Sequence, residues 1–513
     1  MILIASGAYV GNDLVNELGK LPPSFLPLQN SRLYRHQLDL LSNKDDRVVL
    51  SIPNDYVLEK NDREYLNGRG VEIVRVPVDI ALGSSIVYVL DYLARYEEPL
   101  RILFGDTLFR SIGFENDICY VSSVQDNYNW DFVDKGNSDL IFSGYFSFSD
   151  QKQLIKSISE KNFRFIEAVR LYRETKQLTY KAVHDWLDFG LTSTYFQSKA
   201  LFTTQRVFND LEVNKFSVRK SSENKRKMTA ESAWFQTIPV SIKYYTPNLY
   251  SVFEGEGKFG YEVEYLYSNT LSDLFVFGNQ PSFVWKEMFS SCRDFLQNCF
   301  REKRPDGVIS NYTLQEKTIK RLEEFSATSG FDLDQTLSYN GLDLPSLNEI
   351  IATVDAEFAA EKGLYQTVVH GDFCFSNILY DFRRKSIKVI DPRGLDFDDN
   401  VTIYGDIRYD LAKLSHSAIG CYDLIVSGCF DLEVKENYSF TFQLNMAEHI
   451  KIIQSEFLNL KFFDKTIQEH NIYSPLVHLF LSMLPLHSDD RHRQSALLAN
   501  ALRMYVEFLK FKK

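Results

Sequence analysis

The sequence predicts an α/β chain in two parts: a mainly parallel sheet covered by helices over residues 1–205, then a small β-rich lobe and a large helical lobe over 206–513. Three observations lead to this. Branched apolar runs alternate with helically spaced ones at the start, the texture turns to short alternating runs near Val207, and apolar residues recur at helical spacing after Leu271. With 513 residues, 44% of them hydrophobic, the chain is long enough for about two to four units with cores of their own.

In the first part, Met1–Ala5, Asp46–Ile52, Val71–Pro77 and Arg101–Phe104 read as strands. Leu33–Asn43 and Ser85–Arg95 read as the helices between them. Such βαβα order implies a parallel sheet with ligands where strand C-termini meet loops. From Val207 onward, Phe216–Lys220, Ile242–Tyr245, Leu249–Glu254 and Tyr261–Tyr265 are expected strands of an antiparallel sheet, broken by a helix at Thr229–Gln236. Helices are then expected at Ser282–Arg301, Leu314–Phe325, Leu347–Glu361, Arg408–Ser417, Phe442–Leu458, Tyr473–Leu484 and Ser495–Phe511. Two lobes of this kind leave a cleft, where substrates bind.

The balance of 57 Lys and Arg against 69 Asp and Glu, a net charge of −12, lacks the basic field that a nucleic acid or an anionic membrane selects. Neither is expected as a partner. Cys119, Cys292, Cys299, Cys374, Cys421 and Cys429 form no CxxC pair and show no metal-ligand spacing, which argues against a disulfide framework and structural zinc. Met1–Ala8 has no basic leader, and no apolar run reaches the length of a membrane span. The expectation is a cytoplasmic protein without membrane insertion; oligomerisation stays open. Aromatic residues make up 14% of the chain and are scattered rather than interleaved with basic ones, as core packing requires.

The densest chemical signal is Val368–Asp391, VVHGDFCFSNILYDFRRKSIKVID. It reads as a strand, a loop carrying His370, Asp372 and Asn377, a strand Ile378–Tyr380, a turn, and a strand Ile387–Ile390 that delivers Asp391. These side chains can converge at one end of a hairpin. Phosphoryl transfer needs such a set: one carboxylate for the attacking hydroxyl, and an Asn and Asp to hold Mg2+ against nucleotide phosphates.

HxDxxxxN followed by a strand and an Asp resembles the catalytic and metal loops of the protein-kinase-like superfamily. HGD with IDPR resembles its aminoglycoside and choline phosphotransferase branch. The resemblance implies Asp372 as catalytic base, His370 as a brace of the loop, Asn377 and Asp391 as Mg2+ ligands, and ATP as donor. Gly405–Lys413 resembles the helix after the metal loop, with Asp410 in an anchoring role. Pro392 and Arg393, in place of the Phe-Gly of protein kinases, point to a small-molecule acceptor.

The same branch implies an upstream Lys–Glu pair that grips ATP. Lys220 ends an alternating strand and Glu231 follows in a helical run; Lys225 and Lys227 are rivals for the lysine. Tyr261–Leu266 resembles the strand joining the lobes, with Glu264 and Tyr265 beside adenine. No GxGxxG precedes Lys220; Gly255, Gly257 and Gly260 follow it in a hairpin.

At the N-terminus, ILIASGAYVG is a strand entering a glycine loop, Gly83 and Ser84 open a helix, and Asp106 and Asp188 sit at strand ends. Loops of this kind place backbone N–H groups near phosphate. Together these pieces resemble the sugar-1-phosphate nucleotidyltransferases, with their glycosyltransferase-A-like (Rossmann-like) sheet. The resemblance implies Mg2+ at Asp106 and Asp188 and a nucleoside triphosphate, CTP or UTP among the options, at Gly7, Gly11, Gly83 and Ser84. Two departures stand out: Ser6 to Glu17 holds no basic residue, and Pro23 is followed by Ser24 where the family has lysine. Lys20, Arg32 and Arg35 are the nearby cations that could substitute. Loss of two charges from a triphosphate site weakens electrostatic stabilisation by several kcal/mol, on the order of what one lost oxyanion donor costs.

Three readings follow. The first is a bifunctional enzyme that phosphorylates a sugar or small alcohol and couples a phosphorylated product to an NTP, as a precursor for capsule or surface glycan. The second is a small-molecule kinase with an inactive nucleotidyltransferase-like binding domain. The third is a pseudoenzyme scaffold.

Overall fold

The computed structural model describes residues 1–41, 47–123, 132–133, 139–202, 210–255, 257–305, 307, 314–358, 365–396, 398–435 and 438–511. The boundary expected at 205/206, Val207, the start of the strand at Asp46, the end of the helix at Asn43 and the tail of the helix to Glu361 lie outside these residues. Contacts divide the chain into one unit of Met1–Phe202 with Phe277–Asn279, and a second of Thr203–Val276 with Gln280–Lys513.

The first unit is built on a seven-stranded sheet in the order Thr179–Ala182, Ile118–Ser123, Leu140–Phe148, Leu100–Phe104, Ile2–Ala5, Val48–Pro53, Glu72–Val76. Ile2–Ala5 pairs parallel with Val48–Pro53 and with Leu100–Phe104, whereas Leu140–Phe148 runs antiparallel to both of its neighbours. The central strand is buried on both faces, as its unbroken apolar sequence requires. One core face gathers Leu3, Val49, Ile86, Ile102, Phe146, Leu154 and Phe165. Because Ala5 lies opposite Phe104 in the parallel register, the loops at Gly7 and Asp106 leave the sheet at the same edge.

The second unit opens with a four-stranded antiparallel sheet, Asp210–Val213, Ser217–Ser222, Lys258–Glu264, Leu249–Gly255 in spatial order, and the helix Lys225–Thr237. A largely helical part follows, with Ser282–Arg301, Leu314–Ser329, Leu347–Phe358, Ile407–Ala418, Glu448–Leu458, Tyr473–Ser482 and Arg491–Phe511 among its helices. Helix Tyr473–Ser482 is buried on every side and its sequence, YSPLVHLFLS, is apolar all round.

Two expected elements differ. Ile242–Tyr245 is not a strand: Pro239 caps a short helix, Val240–Lys243, and Ile242 donates its N–H to Pro239 O at 2.9 Å. Four apolar residues do not distinguish the two periods, and the proline decides. Phe442–Leu458 is not one helix but a strand, Ser439–Leu444, then a helix, Glu448–Leu458. The SFTFQL alternation has the period of a strand with one buried face. Among the described residues no helix is long and apolar enough to cross a membrane.

Candidate active site

The hairpin register builds the site of the second unit. Ile378–Asp381 pairs antiparallel with Ser386–Val389, Ile378 opposite Val389. The residues just beyond meet in turn, and Ile390 donates its N–H to Asn377 O at 3.0 Å. Asp391 therefore emerges next to Asn377. The turn that closes the hairpin is set by Asp381, whose Oδ1 accepts the N–H groups of Arg383 and Arg384 at 2.9 and 3.0 Å.

Asn377 donates Nδ2–H to Asp372 Oδ2 at 2.9 Å and to Asp372 O at 3.0 Å. This orients the amide so that its carbonyl oxygen, the atom able to ligate a hard cation, points away from Asp372. Lys413 Nζ lies 2.7 Å from Asp372 Oδ1. Burial would raise the Asp372 carboxyl, but the Lys413 ammonium, with His370 and the Asn377 bond, outweighs it and holds the pKa at about 2. With 39% of its side chain exposed, Asp372 is an accessible anion able to accept a hydroxyl proton.

His370 is enclosed. Asp372 donates its N–H to His370 Nδ1 at 3.3 Å, so the other ring nitrogen is the donor to Ile390 O at 3.0 Å. Burial lowers its pKa to about 4. A neutral ring bridging the two loops is a brace, not a proton carrier. Asp410 accepts the N–H groups of His370 and Gly371 at 2.6 and 2.8 Å.

The helix Lys225–Thr237 docks on these loops. Trp234 Nε1–H donates to Val369 O at 2.7 Å, and a Cβ on Gly394 would lie 2.1 Å from Ala230 O. Glu231, on the same helix, is 3% exposed. Its Oε2 lies 2.6 Å from Lys220 Nζ and accepts the Tyr261 hydroxyl at 2.8 Å. Tyr261 is the cross-strand neighbour of Lys220. Lys220 Nζ also reaches Asp391 Oδ1 at 3.2 Å. Burial opposes its charge, but Asp391 and Glu231 prevail and raise its pKa. The rivals stand elsewhere: Lys225 pairs with Glu254 at 2.8 Å, and Lys227 reaches only the far oxygen of Glu231, at 3.8 Å.

Glu264 and Tyr265 end the strand Lys258–Glu264. Their N–H groups donate to Asn248 O and Phe216 O, both at 2.9 Å. The two backbone N–H groups at the positions expected beside adenine are therefore paired within the protein.

In the first unit Asp106 and Asp188 come together. Strands Thr107–Phe109 and Trp186–Asp188 pair antiparallel, and Phe189 donates its N–H to Asp106 O at 2.8 Å. A Cβ on Gly190 would lie 2.8 Å from Asp106 Oδ2, too close without a shift of that carboxylate, and 3.5 Å from Asp188 Oδ1, an ordinary contact distance. Burial raises the Asp106 carboxyl. Thr194 Oγ1–H donates to Asp188. A cavity of about 960 Å³ opens beside this strand, with Arg110, Lys181, His184 and Trp186 in its wall.

The glycine loops are packed against protein. A Cβ on Gly7 would lie 2.4 Å from Val76 Cγ2 and 2.8 Å from Ser85 Oγ, and one on Gly83 would lie 2.3 Å from Phe163 O. Gly11 precedes the helix Asn12–Leu18. Ser84 faces Tyr88, Asp91 and Lys152 around another cavity; the hydroxyl beside Gly7 belongs to Ser85, which helical spacing alone did not single out. Asp13 accepts from Thr192 N and Oγ1 at 3.0 and 2.7 Å. Of the substitute cations, Arg32 is buried beside Asp62 at 3.4 Å, Arg35 lies over the Tyr65 ring, and Lys20 pairs with Asp55 at 3.2 Å above the Tyr9 ring.

Among the described residues no three His, Cys, Asp or Glu side chains form a metal cage. Mg2+ does not need one, since it keeps waters and phosphate oxygens and takes one or two protein carboxylates. The oxygens of Asp391 and Asn377, and those of Asp106 and Asp188, fit that demand.

No family model matches the chain, and no curated protein matches it. Among solved structures it is similar to a thermostable mutant of aminoglycoside phosphotransferase APH(4)-Ia in ternary complex with ADP and hygromycin B, at 11% identity over 60% of this chain and 92% of that one, TM-score 0.38. It is similar to a mutant aminoglycoside 2'-phosphotransferase-IIIa in complex with GDP, at 12% identity over 60% and 90%, TM-score 0.38. It is also similar to the inositol-1-phosphate CTP transferase from T. maritima, at 18% identity over 38% and 89%, TM-score 0.28.

Proposed function

We propose that the second unit is an ATP-dependent kinase of a small hydroxylated molecule, a sugar or alcohol. The observation that supports it is the meeting of Lys220, Glu231, Asp391, Asn377 and Asp372 at one end of the hairpin. Lys220, kept in place by Glu231, binds the donor phosphates. Asp391 and Asn377 would hold Mg2+, which neutralises charge on the β- and γ-phosphates. Asp372 orients the acceptor hydroxyl. As the hydroxyl oxygen bonds to the γ-phosphorus, the bond to the β-bridging oxygen breaks, ADP leaves, and the proton passes to Asp372. ADP release from ATP and Mg2+ over a panel of sugars and polyols tests this; Asp372→Asn should lower turnover by about 10³-fold, within the range expected for loss of a positioned base and its charge. Turnover unchanged in that variant would refute the assignment.

A second activity, nucleotidyl transfer in the first unit, is favoured by the paired carboxylates Asp106 and Asp188. It would give the chain both steps toward a nucleotide-activated precursor, for capsule or surface glycan. Against it stand a glycine loop without a cation that leads into a helix bearing the acid Asp13, and the engagement of Lys20, Arg32 and Arg35 with protein groups. Pyrophosphate release from CTP or UTP with sugar phosphates, lost in Asp106→Ala, would establish it. Absence of release leaves the first unit as a binding domain, and absence of both activities leaves a scaffold.

A further inference from the structure

The helix Ile407–Ala418 grips the loop that carries Asp372 at successive points, all from one of its faces. Asp410, Lys413 and Ser417 are spaced i, i+3, i+7, which is a single helical stripe. Asp410 accepts the N–H groups of His370 and Gly371 at 2.6 and 2.8 Å. Ser417 Oγ accepts the Phe375 N–H at 3.1 Å. Between them, Lys413 Nζ lies 2.7 Å from Asp372 Oδ1. The outer grips hold backbone; the central one holds the side chain expected to meet the acceptor. A ribbon of Gln366–Val368 with Tyr404–Asp406 ties the segment before the loop to the segment before the helix. Lys413 is also the one residue of this helix that is not buried, and 14% of its side chain and 39% of that of Asp372 remain accessible. The pair therefore lies where a substrate hydroxyl can reach it.

We propose that Lys413 is a positioning residue of the phosphoryl transfer: acting through Asp372, it fixes the carboxylate that orients the acceptor hydroxyl. This rests on the kinase reading above and goes beyond it in assigning the residue that prepares Asp372. The carboxylate takes Lys413 on Oδ1 at 2.7 Å and Asn377 Nδ2–H on Oδ2 at 2.9 Å, so its plane cannot turn without breaking both bonds. Roughly two of its four acceptor positions remain for the hydroxyl. A carboxylate already bound by two such donors is a weak base, so it aligns the hydroxyl rather than ionising it beforehand. The hydroxyl oxygen bonds to the γ-phosphorus as the bond to the β-bridging oxygen breaks. The hydroxyl proton then moves to Asp372 and from there to water.

The surroundings keep this pair charged. Burial works against the Lys413 ammonium, but Asp372, Tyr409 and Cys374 support it and raise its pKa. Burial holds other neighbours neutral: it depresses His370 and His416 and pushes up Cys374 and Tyr422. His416, one turn beyond Lys413, is packed between the rings of Tyr422 and Phe480, at centroid distances of 4.7 and 4.1 Å. Asp410, the acid one turn before Lys413, is engaged by the two backbone N–H groups of the loop.

The test follows ADP release from ATP and Mg2+ at pH 8 with the full chain and the sugar or polyol of the panel that supports the fastest turnover. Lys413→Met should lower kcat by about 10²-fold or more. The KM for ATP and the calorimetric affinity for AMP-PNP should stay within about threefold, the split expected when only transition-state stabilisation is lost. Because the lysine acts through Asp372, the double variant Asp372→Asn/Lys413→Met should turn over within about threefold of Asp372→Asn. That comparison stands even if Lys413→Met fails to fold, since the double variant replaces the ion pair by two neutral groups and leaves no charge unpaired. The inference is overturned by an unchanged kcat in Lys413→Met, by a loss of AMP-PNP affinity as large as the loss in kcat, or by a double variant more than about threefold slower than Asp372→Asn. Absence of ADP release from the parent over the whole panel instead defeats the kinase reading beneath it.

Discussion

Asp410 holds His370 by its backbone: the His370 N–H donates to Asp410 Oδ2 at 2.6 Å, and the next N–H, that of Gly371, donates to Oδ1 at 2.8 Å. One carboxylate thus fixes the loop that carries Asp372. Burial pushes the Asp410 carboxyl up to about 7, against the pull of those two bonds, so at pH 8 it is largely anionic. Asp410→Asn leaves one amide oxygen for two buried donors. A loss of about 2–3 kcal/mol is expected, the cost of an unsatisfied buried group facing a former charge. Urea unfolding at pH 8 measures it.

Lys220→Met should remove a donor-phosphate contact and leave Glu231 buried without its closest cation. A fall in kcat/KM for ATP of about 10²–10³-fold is expected, in keeping with a truncated charge-assisted contact at a reacting phosphate. Lys227→Met, at the far oxygen of Glu231, should change it by less than about threefold, as for an exposed ion pair. Steady-state kinetics on both variants separates the two lysines; equal losses would contradict the choice of Lys220.

Gly394 has φ +63° and no space for a side chain, since a Cβ would lie 2.1 Å from Ala230 O. Gly394→Ala should cost about 2–4 kcal/mol from the left-handed backbone and the overlap combined. Relief of the overlap must move the helix that bears Glu231. AMP-PNP affinity, read by calorimetry, should fall along with the urea midpoint. A variant that loses stability while binding the nucleotide unchanged would separate the helix from the site.

His478 is fully buried, with Nδ1 3.1 Å from Thr318 Oγ1. Burial depresses its pKa from about 6.5 to about 4. Between those values the unfolded chain binds the proton and the folded chain does not, so the stability difference is present above pH 6.5 and is lost as pH falls toward 4. The wild type should therefore lose up to about 3 kcal/mol relative to His478→Gln over that window. Urea midpoints of both proteins at pH 7 and pH 5 give the double difference; parallel pH curves would mean that His478 titrates normally in the folded state.

The hairpin group was legible in the sequence because its spacing is local. Five residues from Asp372 to Asn377 and a short two-stranded turn to Asp391 allow few arrangements, and the paired register supplies the rest. Lys220 and Glu231 were readable as a strand end followed by a helix, although the helix begins earlier than expected, at Lys225 behind the Asn224 cap. Tyr261 as the third member of that pair was not readable, because cross-strand register does not follow from one strand's pattern. That Ser85 rather than Ser84 meets Gly7 was not readable either, because adjacent helical positions face about 100° apart and only the docked helix tells which one turns inward.

Local pattern determined the alternating strands and helices, the loop chemistry of His370, Asp372, Asn377 and Asp391, and the missing cations of the first glycine loop, because each is written in contiguous residues. Tertiary structure decided what lies beside those groups: Lys413 against Asp372, Tyr261 beside the Lys220–Glu231 pair, and Gly190 against Asp106. Coulomb interactions depend on distance through space and on burial, and neither is encoded in separation along the chain.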